Sequence, residues 1–185
     1  GPAPHHDTIH QGSENKLEKQ FWPLAGKPVL AHSVDVFRMH PRVRTIIIVT
    51  TPHNIERVRS QFGEPNCYVI AGGATRQQSV YAGLKAAADI DPAGRFVAIH
   101  DAARPLLPPA LLSTMLATIS DEVAGVAPAL PLADTLSCIN AQQTIDRIID
   151  RAPMRALQTP QLFWRELITD LHKHYADDTN FTDDC

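Results

Sequence analysis

An uninterrupted run of β-branched residues restricts the fold of this chain more than any other feature. Residues 44–50 read Arg-Thr-Ile-Ile-Ile-Val-Thr, and residues 96–100 read Phe-Val-Ala-Ile-His. Apolar runs without polar alternation predict strands that are buried on both faces, which is typical of parallel sheets covered by helices. The chain therefore predicts a layered fold with a sheet at its centre.

Segments with helical spacing lie between these strands. Val29, Leu30, Ser33, Val34 and Phe37 recur at helical intervals, and Pro41 closes the segment. Further helices are predicted over 55–62, 76–88, 109–119 and 166–175, and further strands over 67–70 and 123–129. This alternation predicts an α/β fold with a mostly parallel sheet, right-handed crossovers and helices on both faces.

Two stretches depart from that rhythm. Residues 134–139 and 144–149 flank a polar turn, which predicts a β-hairpin projecting from the sheet as an arm over about 134–150. An isolated hairpin is marginally stable, so its isoleucines (Ile145, Ile148, Ile149) predict packing on a second subunit, with packing on its own domain as the alternative. The helix over 29–39 should also follow a parallel strand, yet residues 1–20 contain no β-branched run. Either the fold starts unusually or that strand is missing from the chain.

The amino-acid composition restricts the class of protein and the ligands that it can attract. The 185 residues are 44% hydrophobic and 20% charged, which indicates one globular domain. We assign it to 19–185, after a polar segment over 1–18 that we expect to be disordered or derived from a tag. A net charge of −3 gives no general attraction to nucleic acid or anionic membranes, so any bound phosphate requires a local site.

Membrane insertion and secretion are not expected. The longest uncharged stretch, 105–120, is shorter than the roughly 20 residues of a membrane span, and the first residues show no apolar signal sequence. Cys67, Cys138 and Cys185 are odd in number and widely spaced, which favours reduced thiols. We therefore expect a cytoplasmic protein.

Ligands in open α/β sheets bind beyond the carboxyl ends of the strands. After the strand at 67–70, Gly72 and Gly73 allow a ligand to approach the backbone, while Arg76 and Ser79 add a cation and a hydroxyl. An ordinary strand-to-helix turn is the alternative interpretation.

A second loop follows the strand at 96–100. Asp101 is placed to bind Mg²⁺ or a ribose hydroxyl, and Arg104 is placed to bind a phosphate. A simple Asp101–Arg104 salt bridge is the alternative, and His100 is interpreted as a structural histidine. Lys19 and Arg151 add cations in other loops, and Thr182 lies beside two carboxylates.

Six collinear segments together resemble the 2-C-methyl-D-erythritol 4-phosphate cytidylyltransferase family of the non-mevalonate isoprenoid pathway. They are KQFWPLAGKPVLAHSVDVF (19–37), AGGATRQQSVYAGLKAA (71–87), HDAARP (100–105), PLADTL (131–136), DRAPMRALQTPQLF (150–163) and FTDD (181–184). The resemblance implies a Rossmann-like nucleotidyltransferase fold and a homodimer that exchanges β-arms. It also implies CMP transfer from CTP to 2-C-methyl-D-erythritol 4-phosphate with release of pyrophosphate.

The resemblance also implies roles for particular residues. Gly73, Ala74 and Ser79 would contact cytosine, and Asp101, Ala102 and Arg104 would contact ribose, Mg²⁺ and phosphates. Lys19 and Arg151 would be the catalytic cations, and Thr135, Arg151 and Thr182 would bind the sugar phosphate. A phosphate monoester is already a nucleophile, so positioning and charge neutralisation suffice without a general base.

The chain departs from this family at both ends. The family begins with a strand and a glycine-rich loop that carries an arginine, and it continues past the TDD motif to a phosphate-binding lysine. Residues 1–12 contain neither that strand nor the glycine-rich loop with its arginine, and the sequence ends at Cys185, soon after the TDD motif. We therefore expect the 185-residue polypeptide to be impaired in turnover. Two alternatives remain, namely a ribitol-5-phosphate cytidylyltransferase and a non-catalytic nucleotide-binding dimer.

Overall fold

The computed structural model describes residues 17–176 and 183–185. The helices are α1 (Val29–Met39), α2 (Ile55–Phe62), α3 (Arg76–Ile90), α4 (Pro109–Thr118) and α5 (Arg165–His174). The strands are β1 (Pro23–Leu24), β2 (Lys27–Pro28), β3 (Ile46–Thr50), β4 (Cys67–Ala71), β5 (Phe96–Ile99), β6 (Gly125–Val126), β7 (Ala129–Pro131), β8 (Leu136–Ile139), β9 (Ile145–Ile149), β10 (Arg155–Leu157) and β11 (Gln161–Trp164). Short 3₁₀ turns cover Lys19–Phe21 and Pro52–Asn54.

Strand pairing within the described residues is mixed. β3 and β4 form a parallel ladder from Ile46–Cys67 to Thr50–Ala71. β11 lies between β5 and β6 and is antiparallel to both. The sequence pattern predicts mostly parallel pairing, and the difference arises because β11 returns along the sheet after the hairpin arm instead of following a crossover helix.

Alternating side chains of β5 show that helices cover both faces of the sheet. Phe96 and Ala98 pack with Met115 of α4, whereas Val97 and Ile99 pack with Leu84 of α3. Successive strand residues point to opposite faces, so α3 and α4 lie on opposite sides. The expected α/β class with helices on both faces is confirmed.

A separate cluster buries α1 and α2 against the β3–β4 pair. Val34 of α1 and Val58 and Phe62 of α2 lie against Ile48 and Cys67. Burial raises the pKa of the Cys67 thiol, and Cys67, Cys138 and Cys185 form no disulfide with one another in the structure. None of the helices in residues 17–176 is long and apolar enough to cross a bilayer.

The main elements lie close to their predicted positions, with two exceptions. The strand predicted over 123–129 is wrong as a single element, because β6 pairs with β11 whereas β7 pairs with β10. β11 itself was not predicted, although Leu162 and Phe163 are buried. Its four residues carry no periodic signal, and its strand conformation follows from the two neighbours that it pairs with.

The predicted hairpin arm is present. β8 and β9 pair antiparallel from Leu136–Ile149 to Ile139–Ile145, with a register shift between Cys138 and Ile139. Ile139, Ile145 and Ile148 are 51%, 66% and 61% exposed, so this chain does not cover them. Packing of the arm on its own domain, the alternative from sequence, is therefore not observed for these three side chains.

Candidate functional site

The loops that follow β4 and β5 meet at one edge of the sheet. A guanidinium nitrogen of Arg76, at the start of α3, lies 3.7 Å from a carboxylate oxygen of Asp101, the second residue after β5. Both loops leave the carboxyl ends of their strands, which is where open α/β sheets bind ligands. The structure therefore brings together the two segments that the sequence indicated.

The loop between β4 and α3 is closed by its own side chains. The Gly73 amide donates to Ser79 Oγ at 3.1 Å, and the Ala74 amide donates to Gln78 Oε1 at 2.9 Å. Thr75 caps α3, because its Oγ1 accepts a hydrogen bond from the Gln78 amide. Gly73, Ala74 and Ser79 thus lie in one tight turn.

Both glycines of this turn are required by close contacts. A Cβ atom on Gly72 would lie 2.6 Å from Ser79 Oγ, and one on Gly73 would lie 2.4 Å from Gln78 Cβ. Both distances are shorter than a van der Waals contact allows. The Gly-Gly sequence therefore permits the turn that holds Ser79 beside the backbone of residue 73.

Hydrogen bonds of His100 hold the turn after β5 in place. Thr159 Oγ1 accepts from the Asp101 amide at 3.1 Å, so its proton is available for His100 Nδ1 at 3.0 Å. His100 Nε2 then donates to the Arg104 carbonyl at 3.0 Å. This arrangement requires a neutral imidazole, and burial lowers the pKa of His100 in agreement with it. The interpretation of His100 as a structural histidine is confirmed.

Asp101 and Arg104 form the salt bridge that the sequence left open as the alternative to a ligand site. Arg104 Nε donates to Asp101 Oδ2 at 3.0 Å, and a second guanidinium nitrogen donates to Gln158. The side chains of Asp101 and Arg104 are 38% and 43% exposed, so a ligand can still reach both. Ala102 lies within the same turn, which the Arg104 amide closes on the Asp101 carbonyl.

Arg76 joins this turn to a buried carboxylate near the end of the sequence. One of its nitrogens lies 2.7 Å from Asp184 Oδ2, and His172 Nε2 lies 3.1 Å from Asp184 Oδ1. Burial alone would raise the pKa of Asp184, but hydrogen bonds from His172 and Arg76 outweigh burial and lower it. No sequence pattern predicted this network. The FTDD segment was its only signal, and no local pattern connects positions 76, 172 and 184.

Lys19 lies in the 3₁₀ turn before β1. The neighbouring Glu18 accepts a hydrogen bond from Asn54 Nδ2 at 2.7 Å, which ties the turn to the loop that follows β3. Lys19 is exposed, and its ammonium group contacts none of the other predicted site residues in the described part of the chain. It lies at the same edge of the sheet without a direct contact to Asp101.

Arg151 and Thr135 lie at the base of the hairpin arm. Arg151 donates to the Ala133 carbonyl, and both Arg151 and Thr135 are exposed next to the paired residues Leu136 and Ile149. No contact joins them to Asp101 or Arg104 among residues 17–176 of the same chain. Thr182, the remaining predicted residue, lies outside the described residues.

The described residues contain no cluster of three or more His, Cys, Asp or Glu side chains that could hold a metal by themselves. Mg²⁺ is commonly held by one or two carboxylates together with substrate phosphates, and Asp101 is a partly exposed carboxylate of that kind. The arrangement at this edge therefore combines a tight glycine turn, one accessible carboxylate and the guanidinium group of Arg104. Such a set can bind a phosphorylated ligand with a divalent cation.

Comparisons with known proteins point to one family. A model of the IspD family, described as 2-C-methyl-D-erythritol 4-phosphate cytidylyltransferase, matches residues 11–185. A bifunctional enzyme IspD/IspF of Rhodopseudomonas palustris is 38% identical over 170 residues, covering 90% of this chain and 42% of the relative. A 2-C-methyl-D-erythritol 4-phosphate cytidylyltransferase of Frankia casuarinae is 37% identical, covering 88% of this chain and 59% of the relative.

Solved structures agree. A 4-diphosphocytidyl-2C-methyl-D-erythritol synthase from Anaerococcus prevotii superposes with a TM-score of 0.77 at 26% identity, covering 91% of this chain and 74% of that one. The bifunctional IspDF from Campylobacter jejuni gives a TM-score of 0.72 at 25% identity and is covered over 40% of its length. The chain thus spans less than two thirds of the curated relatives that it matches.

Proposed function

The chain belongs to the 2-C-methyl-D-erythritol 4-phosphate cytidylyltransferase family, and from this premise we propose that it transfers CMP from CTP to 2-C-methyl-D-erythritol 4-phosphate. The products are CDP-methylerythritol and pyrophosphate. The phosphate of the sugar attacks the α-phosphorus of CTP, the bond between the α- and β-phosphates breaks, and pyrophosphate leaves in line.

The convergence of the two loops after β4 and β5 carries this proposal. In the Gly73–Ser79 turn the Gly73 amide donates to Ser79 Oγ and the Ser79 hydroxyl donates to the Thr75 carbonyl, and in this proposal the turn exchanges these internal hydrogen bonds for the edge of a cytosine ring when CTP binds. Asp101 and Arg104 lie at the adjacent turn, linked to α3 through Arg76. A base site beside a carboxylate and a guanidinium group is what a nucleoside triphosphate requires.

We assign the remaining contacts by the same logic. Gly73, Ala74 and Ser79 bind the base, while Asp101, Ala102 and Arg104 bind ribose and phosphates. Asp101 would hold Mg²⁺, which when bound would neutralise phosphate charge. The fork of Arg104 matches a phosphate and remains partly exposed while it pairs with Asp101.

Lys19 and Arg151 are proposed to stabilise the negative charge that grows on the α-phosphoryl group. The substrate phosphate is ionised at neutral pH, so the chain needs no side chain to deprotonate it. Preorganised cations then contribute most of the rate, and losing one costs on the order of 10²–10³ in kcat. Thr135 and Thr182 complete the sugar-phosphate site in this proposal.

The functional unit is proposed to be a homodimer that exchanges its arms. Ile139, Ile145 and Ile148 expose an apolar surface on a hairpin that is marginal alone. Seating this arm on a second protomer would cover the isoleucines. It would also carry Arg151 and Thr135, which have no contact with Asp101 in their own chain, to the other protomer's nucleotide site. We place this enzyme in the cytoplasm, since its cysteines are unpaired.

Pyrophosphate release tests the proposal. With CTP and Mg²⁺, the protein expressed from its full coding sequence should release pyrophosphate with methylerythritol phosphate and far less with ribitol 5-phosphate, and the 185-residue polypeptide should turn over more slowly. Asp101→Ala should abolish CTP binding by calorimetry, whereas Lys19→Ala should retain CTP binding and lose turnover. Faster release with ribitol 5-phosphate would favour a ribitol-5-phosphate cytidylyltransferase. Tight CTP binding without turnover on either sugar, even in the protein expressed from its full coding sequence, would favour a non-catalytic nucleotide-binding dimer.

A further inference from the structure

The short turn that carries Lys19 is held at both of its ends. At one end, Phe21 is 4% exposed in the core cluster of α1 and α2, and the guanidinium group of Arg57 lies over its ring at 4.1 Å. At the other end, the side chain of Glu18 reaches the loop that follows β3. These contacts hold the backbone from which the exposed side chain of Lys19 extends.

Hydrogen bonds occupy both oxygens of the Glu18 carboxylate. Oε1 accepts from Asn54 Nδ2 at 2.7 Å and lies 3.1 Å from His53 Nε2, while Oε2 accepts from Gln20 Nε2 at 2.5 Å. The hydrogen bond from Asn54 contributes most to lowering the pKa of Glu18, so the carboxylate is ionised at neutral pH. An ionised acceptor forms a stronger hydrogen bond than a neutral one.

Asn54 is itself fixed in the structure. It is 7% exposed, its amide nitrogen Nδ2 also donates to Thr51 Oγ1 at 2.9 Å, and its backbone amide donates to the Thr51 carbonyl at 2.9 Å. A side-chain amide nitrogen has two hydrogens, so Glu18 and Thr51 use both. Glu18 is therefore tied to a well-held loop at the carboxyl end of β3.

The end of β3 also contacts the glycine turn that we assign to the base. The Gly72 amide donates to the carbonyl of Thr50, the last residue of β3, at 2.8 Å. Contacts thus run from the glycine turn, through the end of β3 and the loop after it, to the residue that precedes Lys19. The placement of Lys19 relative to a bound nucleotide depends on this path.

A carboxylate next to a lysine in sequence can also pair with it. Such a pair would neutralise the Lys19 ammonium group and compete with any phosphate for it. Lys19 forms no salt bridge within the described part of the chain, because the oxygens of Glu18 already accept hydrogen bonds from other donors. The ammonium group is therefore left available for a ligand.

We propose that Glu18 is a positioning residue for Lys19, and that the Asn54 amide holds the Glu18 carboxylate away from the ammonium group. We call the hydrogen bond between Glu18 and Asn54 the clamp. The inference rests on the proposed function, in which Lys19 stabilises charge on the α-phosphoryl group. Preorganised cations act in the transition state, so loss of the clamp should lower kcat and change CTP binding little.

Steady-state pyrophosphate release tests the clamp in the protein expressed from its full coding sequence. Glu18→Ala should lower kcat about 10- to 100-fold, no more than Lys19→Ala does, with the KM for CTP changed by less than about threefold. In the Lys19→Ala protein, Glu18→Ala should lower kcat by no more than about twofold, because the cation that it positions is gone.

Exchanging the donor and the acceptor tests the clamp without a large change in shape. Asn54→Asp places a second carboxylate against Glu18 and removes the donor, so it should lower kcat as Glu18→Ala does. Glu18→Gln combined with Asn54→Asp restores a hydrogen bond with the roles reversed and should recover at least about a third of the parental kcat. This pair of variants also decides the matter if Glu18→Ala folds poorly.

Hydrogen exchange without substrate separates the clamp from catalysis. The Phe21 amide donates to the Glu18 carbonyl at 2.9 Å, and the Trp22 amide donates to the Lys19 carbonyl at 3.1 Å. Both amides should exchange about tenfold faster in Glu18→Ala. Glu56→Ala is the matched control and should leave them unchanged, since the Glu56 side chain is 84% exposed and pairs within its own helix.

The outcomes distinguish this inference from the proposed function. Unchanged amide exchange and kcat in Glu18→Ala would overturn the inference. An equal loss of kcat from Glu18→Ala in the parent and in the Lys19→Ala protein would also overturn it, since the role of Glu18 would then be independent of Lys19. Faster exchange in Glu18→Ala of a protein that releases no pyrophosphate with either sugar phosphate would support the clamp and overturn the proposed function.

Discussion

At the scale of single residues, the nucleotide site depends on close contacts that tolerate little added volume. Gly73 is the sharpest case, since a Cβ there would lie 2.4 Å from Gln78. The contact involves the same side chain that accepts from the Ala74 amide. A change at this position therefore disturbs the turn rather than one side chain.

Gly73→Ala is expected to weaken CTP binding by one to two orders of magnitude and to destabilise the fold by about 1–3 kcal/mol. Gly83→Ala is the matched control, because alanine favours a helix and meets only a Val49 methyl at 3.1 Å. Calorimetric titration with CTP and urea unfolding measure the two effects. Unchanged CTP affinity in Gly73→Ala would separate this turn from the nucleotide site.

Asp184 gives a prediction for the pH dependence of stability. Its pKa is lowered in the folded chain by His172 and Arg76, which outweigh burial. A lowered folded pKa stabilises the protein above the unfolded pKa, about 3.9, and this contribution is lost as pH falls through the folded value.

Asp184→Asn should therefore reduce the free energy of unfolding by about 1–3 kcal/mol at pH 7. The difference between the two proteins should shrink as pH falls below about 4. Denaturant unfolding at a series of pH values measures this difference. Asp89→Asn, at an exposed position of α3, is the control. A difference that persists unchanged at pH 2.5 would mean that the carboxylate charge is not the cause.

At the scale of elements, contacts within one chain do not explain the stability of the hairpin arm. Its cross-strand pairs include Ile139 with Ile145 and Ser137 with Ile148, and all three isoleucines are more than half exposed. Apolar side chains in this setting contribute little to the fold of one protomer. They contribute to association if a second protomer covers them.

Replacing Ile145 and Ile148 with threonine should weaken dimerisation at least tenfold while leaving the far-ultraviolet spectrum unchanged, since threonine keeps the strand propensity. Sedimentation velocity over a range of concentrations measures the association. Met39→Ser serves as the control, because Met39 is 73% exposed at the end of α1, outside the arm. Equal association of both variants would remove the arm from the interface.

At the scale of the whole molecule, arm exchange predicts sites assembled from two protomers. Asp101→Ala and Arg151→Ala should each be inactive alone. In a mixed dimer, one site combines an intact Asp101 from one protomer with an intact Arg151 from the other. Random reassortment should therefore restore about a quarter of the activity of the parent protein.

Mixing Asp101→Ala with Lys19→Ala provides the control, because both residues serve the same protomer's site and no intact site can form. Pyrophosphate release after refolding of the equimolar mixtures measures both cases. Recovery in the control mixture, or none in the first mixture, would contradict arm exchange.

The sequence predicted local elements well, but it did not predict contacts between residues that are far apart in the chain. The β-branched run at 44–50 and the helical spacing at 29–37 predicted β3 and α1, since burial imposes a local period on the side chains. β11 gave no such signal, because its strand form depends on the two strands beside it. The turn after β5 was predicted as a site, yet its support by Thr159 was not.

By itself, the sequence determined the α/β class, the positions of most helices and strands, the projecting hairpin and the two loops that carry the candidate site. These follow from periodicity and turn chemistry, which act over a few neighbouring residues. Only the tertiary structure placed Asp184 against Arg76 and Thr159 against the turn after β5. Contacts of that kind depend on how distant segments meet when the chain closes around its core, and a pattern read along the chain does not record them.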